Sequence, residues 1–257
     1  MVIRLAVEAT GHDEFHSTEE GEKGMDKIIR VDMTVLKVTT EAVPAEWVTL
    51  GGRALTSTVV AAEVPPTCHP LGPNNKLVFA PGTLSGTPAA NSGRMSVGGK
   101  SPLTGGIKES SSGGTTAQQF ARMGIKALII EGRPRDDKWY HLHITMEGVT
   151  IEEETEVIGY QNFAVIEAME KRYDSKVGVM SIGVPGEKRM RAANISVKIR
   201  TPRSAVTDVG AWGLSWAPSV SSVLPSMVRE PARCRSSIAR NSRKVRAPLP
   251  RRCSTTR

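Results

Sequence analysis

Aromatic residues are scarce in this 257-residue chain, at four Phe, four Trp and three Tyr. Any core must therefore be aliphatic, and the 39% hydrophobic content suffices for one substantial domain or two small ones. Cysteine is rarer still. Cys68, Cys234 and Cys253 are scattered without C-x-x-C spacing, so the sequence offers neither a cluster-binding run nor a zinc site. Cys68 beside His69 is two ligands, where a metal site needs three or four; it reads as a loop thiol in a reducing compartment. No uninterrupted apolar run approaches the roughly 20 residues that cross a bilayer. The opening MVIRLAVEATGHDEFH is too short in its apolar part and too acidic afterwards for a secretory signal. These absences make a cytoplasmic protein without a membrane partner the expectation.

Positive charge is unevenly placed. The chain carries 34 Lys+Arg against 26 Asp+Glu, but residues 199–257 hold 12 of the basic and two of the acidic residues, leaving 22 against 24 before them. The excess sits in the tail, so the remainder has no basic footprint for nucleic acid.

Residues 1–24 are polar and acid-rich without periodicity, and are expected to be a disordered extension or the product of a start codon placed too early. Alternating Ile and Val predict paired strands at Lys27–Asp32 and Leu36–Thr40. Leu55, Val59, Val60 and Ala62 predict a short helix after Gly51-Gly52-Arg53, ended by Pro65-Pro66. Arg53 is expected on that helix's surface. Further strands are expected at Leu77–Ala80, Arg94–Gly98, Ala127–Glu131, Trp139–Thr145, Val149–Glu152, Val177–Ile182 and Ala192–Val197, with an amphipathic helix through Phe163, Ile166, Met169 and Tyr173. On the strand Trp139–Thr145, His141 and His143 share the face expected to meet solvent, since Tyr140, Leu142 and Ile144 need burial. The run Glu152, Glu153, Glu154 and Glu156 is expected to solvate a loop. The sum is a sheet-rich α+β domain with no evident repeat.

The most informative stretch is Asn75–Gly132, where glycine-rich polar segments alternate with apolar runs. Ser110, Ser111 and Ser112 lead through Gly113 and Gly114 into Thr115, after which Ala117, Phe120 and Ala121 follow at helical spacing. A serine-glycine run opening a helix presents free N–H groups and the positive end of the helix dipole, which favour an anion. Arg94 adds a planar fork of donors. A glycine-rich turn capping a core helix, with Arg94 a surface charge, fits these residues equally well.

The order of segments says more. NKLVFAPGTLSGT, SGRMSV, KSPLTGG, SSSGG and GIKALIIEG resemble successive motifs in the N-terminal domain of the tungsten-dependent aldehyde:ferredoxin oxidoreductase family. KIIRVDMT from Lys27, LGGRAL from Leu50, VPPTCHPLGPNN from Val64 and SIGVPGEKRMRAANISV from Ser181 extend the resemblance to roughly 26–198. It implies a pterin-cofactor-binding domain over residues 25–198. In the family the cofactor is a bis-pterin with tungsten (tungstopterin) or sometimes molybdenum (molybdopterin), accompanied by magnesium and a [4Fe–4S] cluster. The implied reaction oxidises an aldehyde to a carboxylate with ferredoxin as electron acceptor, and the intact protein can form a homodimer. Arg94 matches a pterin-contacting arginine. Ser111 and Gly113 fall where the family has a pterin-contacting asparagine and glycine, and the asparagine carbonyl also helps hold magnesium. With serine at 111, the backbone carbonyl is the group that could keep the metal contact; Ser112 and Gly114 complete the candidate loop.

After Lys198 the text changes character, and residues 199–257 are expected to be a disordered tail. Read two bases later with permissible codons, AVTDVGAWGLSWAP from Ala205 becomes RHGRGGLGAVMGA, which resembles the family's second pterin loop. A frameshift near Lys198 is the reading this supports. The chain as written lacks the family's cluster cysteines, and it is expected to turn nothing over and to hold no stoichiometric tungsten, molybdenum or iron. A non-catalytic remnant and an anion-binding scaffold remain the alternatives.

Overall fold

The computed structural model describes residues 3–7, 25–188, 190, 193–198 and 206–209. Strands β1 (Ile3–Val7), β2 (Lys27–Asp32) and β3 (Lys37–Ala42) precede helix α1 (Gly52–Glu63). Then come β4 (Lys76–Pro81), β5 (Met95–Lys100), β6 (Ile107–Ser112), α2 (Thr116–Arg122) and β7 (Ile125–Glu131). The remainder is β8 (Tyr140–Ile144), β9 (Val149–Glu153), α3 (Asn162–Arg172), β10 (Gly178–Ser181), α4 (Gly183–Glu187), β11 (Ile195–Lys198) and β12 (Val206–Val209). They form two six-stranded sheets, ordered β3-β2-β7-β4-β5-β6 and β12-β11-β10-β1-β8-β9.

The sheets face each other across the main core, where Ile29, Val31, Phe79, Leu128 and Ile130 meet Leu5, Leu142, Ile144 and Met180. Alternate residues of the same strands, Ile28, Val78, Ala127 and Ile129, point outward to Leu55, Val59 and Val60 of α1. On the second sheet, Ala6, Val177 and Val179 point outward to Val165, Ile166 and Met169 of α3. Cover on both faces is why these strands read as continuous apolar runs rather than alternating ones. The sheet-rich α+β expectation holds.

A repeat is present although none was expected from the sequence. In each sheet an antiparallel hairpin (β2–β3; β8–β9) leads to an outer helix and then to two antiparallel pairings (β4–β5–β6; β10–β11–β12). In each, one further strand, β7 or β1, lies parallel to the first strand of the hairpin and antiparallel to the strand after the helix. Small details recur too. Lys100 and Lys198 end equivalent strands, and both bury their ammonium groups on carbonyls just past the outer helix. Lys100 donates to Pro66, and Lys198 to Ser175 and Val177 at 2.7 and 2.9 Å. The sequence shows no evident repeat because, beyond a few such positions, what recurs is the path and the covered faces.

Four other expectations need correction. Ile3–Val7 is not part of a disordered extension: it is an interior strand with Leu5, Ala6 and Val7 buried. Val206–Val209, within the tail expected to be disordered, pairs with β11; residues 1–2, 8–24, 199–205 and 210–257 lie outside the described residues. His141 does not face solvent. It is 1% exposed beneath α3, with Nε2 2.7 Å from the Tyr173 hydroxyl, while His143 stacks on the Tyr173 ring. Nor does the acid run merely solvate a loop. Glu152 and Glu153 lie in β9, and Glu154 is buried against His141 and Arg172.

The seating of α1 depends on glycine at 98. A Cβ there would stand 2.6 Å from Thr56 Cβ, so helix and strand are nearly in backbone contact. Gly98→Val should therefore lower stability by about 1–3 kcal/mol through overpacking. A shifted urea midpoint with an unchanged slope is the expected readout.

Candidate functional site

One end of the first sheet collects the glycine-rich segments. β4 ends at Pro81, and the chain loops through Gly82–Arg94 before β5; β6 ends at Ser112, and Gly113–Thr115 lead into α2. The β5–β6 register pairs Met95 with Ser112, so Arg94 and Gly113 come together one step further along the hairpin's open end. The two loops touch: a Cβ at Gly93 would lie 2.8 Å from the Gly114 carbonyl oxygen. Gly114 has φ 121°, a region that favours glycine.

Side chains brace this arrangement. Gln118 of α2 accepts a hydrogen bond from the Gly86 N–H and donates to Ser92 Oγ at 3.0 Å. Ser85 Oγ donates to the Ser92 carbonyl at 2.9 Å, and the Gly82 N–H donates to the Arg94 carbonyl at 2.8 Å. Phe120, two residues beyond Gln118, anchors α2 in the inter-sheet core. The start of α1 arrives at the same end, where Gly52 lies against Ser96. Lys126 holds the approach to that helix by donating to the Val48 carbonyl at 2.7 Å, and burial pushes its ammonium below its ordinary pKa. Gln118, Ser92 and Lys126 were not singled out in the sequence, where no motif marks a residue that braces a distant loop.

The open surface is at Gly113 and Arg94. A Cβ at Gly113 would meet nothing within 4 Å, which leaves its peptide accessible. Arg94 is exposed, and its guanidinium has no ion-pair partner among the described residues. Ser111 is exposed and pairs in register with Ser96, whereas Ser112 is buried and donates to the Gly113 carbonyl at 3.0 Å. Ser110–Ser112 thus belong to an edge strand, not to the helix-opening loop expected, which shrinks to Gly113–Thr115. The KSPLTGG segment is elsewhere. Ser101–Gly106 turns the β5–β6 hairpin at its far end, with the Ser101 hydroxyl accepting from Leu103 and Thr104 N–H groups. Arg53, as expected, is exposed and donates to Glu109 at 2.8 Å.

The repeated path puts a second opening at the equivalent end of the other sheet. A cleft of about 730 Å³ lies between the start of α3 and the β10–β11 connection, lined by Asn162, Phe163, Val184, Lys188 and Asn194. Asn162 donates to Ser196 Oγ at 2.7 Å and accepts from Ser181 Oγ at 3.0 Å, which fixes the floor. No group of three His, Cys, Asp or Glu side chains suited to a metal occurs among the described residues. None of their helices is long and apolar enough to cross a membrane.

The described residues form an α+β double-sheet domain with a loop opening at the equivalent end of each sheet, one of which exposes Arg94 beside Gly113. Comparison with known proteins identifies the family to which this fold belongs. Residues 28–214 match the family described as aldehyde ferredoxin oxidoreductase, N-terminal domain. The tungsten-containing aldehyde ferredoxin oxidoreductase of Pyrococcus furiosus is 33% identical over 174 residues, and that of Pyrococcus abyssi 36% identical over 172. Each alignment covers 66% of this chain and 28% of the relative, so the chain spans under a third of their length. Among solved structures, the active site complex of benzoyl coenzyme A reductase with 1,5-dienoyl-CoA matches with a TM-score of 0.68 and 27% identity, over 75% of this chain and 29% of that one. The chain belongs to the aldehyde ferredoxin oxidoreductase family, as its N-terminal domain.

Proposed function

We propose that Arg94 and the Ser111–Gly114 segment hold a phosphorylated pterin of a tungsten, or alternatively molybdenum, cofactor, in the N-terminal part of an oxidoreductase that converts aldehydes to carboxylates. The carrying observation is the accessible peptide at Gly113 beside an exposed guanidinium without an ion-pair partner among the described residues. Arg94 would take phosphate or a pterin ring edge through its fork of donors. The Gly113 and Gly114 peptides approach the group closely where no Cβ intervenes, and the Ser111 carbonyl is the oxygen available to a magnesium ion. The cleft beside α3 stands where the fold repeat would seat the second pterin.

When bound, the cofactor supplies a two-electron site at which an aldehyde and water become a carboxylic acid, with two protons released and two electrons leaving for ferredoxin. The chain's own part is to bind, orient and shield one side of that group. The [4Fe–4S] cluster of the family needs cysteine ligands at a spacing that Cys68, Cys234 and Cys253 do not provide. We therefore assign cofactor seating, not turnover, to this chain, and the cytoplasm as its compartment.

In a chain with the frame restored after Lys198, Arg94→Ala should lower the tungsten and pterin recovered per protein by about tenfold, the loss of one charge-assisted contact. Arg94→Lys should lie between, and the melting temperature should not move because Arg94 is exposed. Metal and pterin content unchanged in Arg94→Ala would sink the assignment. The second reading, an anion-binding scaffold, rests on the same loop and separates cleanly: phosphate binding by the chain as given, with no pterin taken up by the restored chain, selects it.

A further inference from the structure

Strand β1 occupies an unusual place for a segment so near the start of the chain. It lies between β8, parallel to it with Ile3 beside Tyr140 and Val7 beside Ile144, and β10, antiparallel with Leu5 beside Met180. Among the described residues, it alone joins the β8–β9 hairpin to β10–β11–β12. Both of its faces are covered: Leu5 and Val7 enter the core between the sheets, and Ala6 enters the core under α3. In the other sheet the same place belongs to β7, reached directly from β6 through α2. The two occupants share a pattern, Ile-Arg-Leu-Ala-Val-Glu from Ile3 and Ile-Lys-Ala-Leu-Ile-Ile-Glu from Ile125. Yet β1 lies outside the family match, which begins at residue 28.

We infer that the gap between β8 and β10 is a strand-acceptor groove, filled in this chain by its own Ile3–Val7 as a separable strand. The groove offers one strand's worth of backbone donors and acceptors on each side, with apolar floors under α3 and between the sheets. Its ligand is an extended peptide with an apolar-basic start, three small or branched apolar residues and a terminal acid. Main-chain pairing supplies affinity, and the alternate pockets for Leu5 and Val7 against Ala6 supply selectivity, as in donor-strand complementation.

The test uses the full chain with a protease site inserted between residues 8 and 24. After cleavage under native conditions, the N-terminal fragment should stay with the protein through size exclusion, and the melting temperature should remain near that of the uncut chain. A fluorescent peptide of residues 1–10 in excess should then replace it, one per chain. The same peptide with Val7→Asp should incorporate about tenfold less, because it would bury an unpaired carboxylate. Three results would overturn the inference: release of the fragment without a fall in melting temperature, unfolding of the protein on cleavage, or retention of the fragment with no exchange on prolonged warming below the melting point. The first removes β1 from the sheet; the others make it an inseparable element instead of a ligand.

Discussion

Phe120→Ala should cost about 3–5 kcal/mol, the range for truncating a buried phenylalanine whose cavity does not collapse. Phe120 is 0% exposed and sits among Leu5, Val7, Leu77, Met95 and Leu128, where the two sheets and α2 meet. Rigid strands surround it on both sides, so little relaxation is available to fill the gap. Against the usual 5–15 kcal/mol of a folded domain, that loss leaves a marginal protein. The consequence reaches the candidate site because α2 begins immediately after Gly113–Thr115, and Gln118 of the same helix ties down Gly86 and Ser92. Urea unfolding should show the lower midpoint, and the amides of Gly113 to Thr116 should exchange with deuterium faster than those of β7. Phe120→Leu keeps most of the volume and should lose much less in both measurements. An alanine variant with normal stability would mean that α2 is not pinned by the core and that the loop is positioned some other way.

Much of the first sheet was legible because its strands are short apolar runs between glycine and proline, and burial of both faces makes such runs the strongest strand signal available. The ends of α1 and the amphipathic spacing of α3 were legible for the same reason. What escaped depends on partners far away in sequence. Ile3–Val7 is five residues in a polar neighbourhood, and only pairing with β8 and β10 makes it a strand. Ile107–Ser112 lacks an apolar rhythm because it is an edge strand, whose outer side need not repel water. His141 was assigned to solvent from the alternation of β8, a rule that assumes one bare face. Here α3 covers that face, with the Tyr173 hydroxyl 2.7 Å from Nε2 of the imidazole and the Glu154 carboxylate 3.3 Å from Nδ1.

The site was legible to a different degree. Arg94 and Gly113 became neighbours only through hairpin register, a quantity that the local sequence does not encode, whereas the resemblance to family motifs named both. The same resemblance did not separate its own segments in space. KSPLTGG, the most distinctive of them, turns the far end of the hairpin, where Ser101 and Asn75 tie backbone to backbone; its role in this fold is to close β5 onto β6. A motif can thus mark a family securely while standing apart from the atoms that would meet the cofactor.

Arg172→Ala should cost about 3–5 kcal/mol at neutral pH, the penalty for removing one partner of a buried ion pair. Arg172, at the end of α3, donates to Glu154 at 3.0 Å and to Glu156 at 2.6 Å, and the Glu154 side chain is only 1% exposed. Burial pushes the Glu154 carboxyl up, but hydrogen bonds from His141 and Arg172 outweigh it and hold the group well below the usual carboxylate range. A carboxyl depressed in the folded state stabilises the fold above its unfolded pKa, and that contribution is lost as pH falls through the folded value. The parent protein should therefore weaken progressively in acid below about pH 4.5, the ordinary value for this group. In Arg172→Ala the arginine's share of that depression is lost, the carboxyl rises from its depressed value, and the variant's deficit shrinks as acid neutralises the less compensated charge. Two denaturation series, at pH 7 and near pH 4, should show the gap between parent and variant narrowing at the lower pH. The double variant Arg172→Ala with Glu154→Gln should recover part of the loss at pH 7, since it removes the charge that arginine neutralised. A gap that stays constant with pH would show that Arg172 acts through the packing of its stem against α3 and β9, not through the carboxylate.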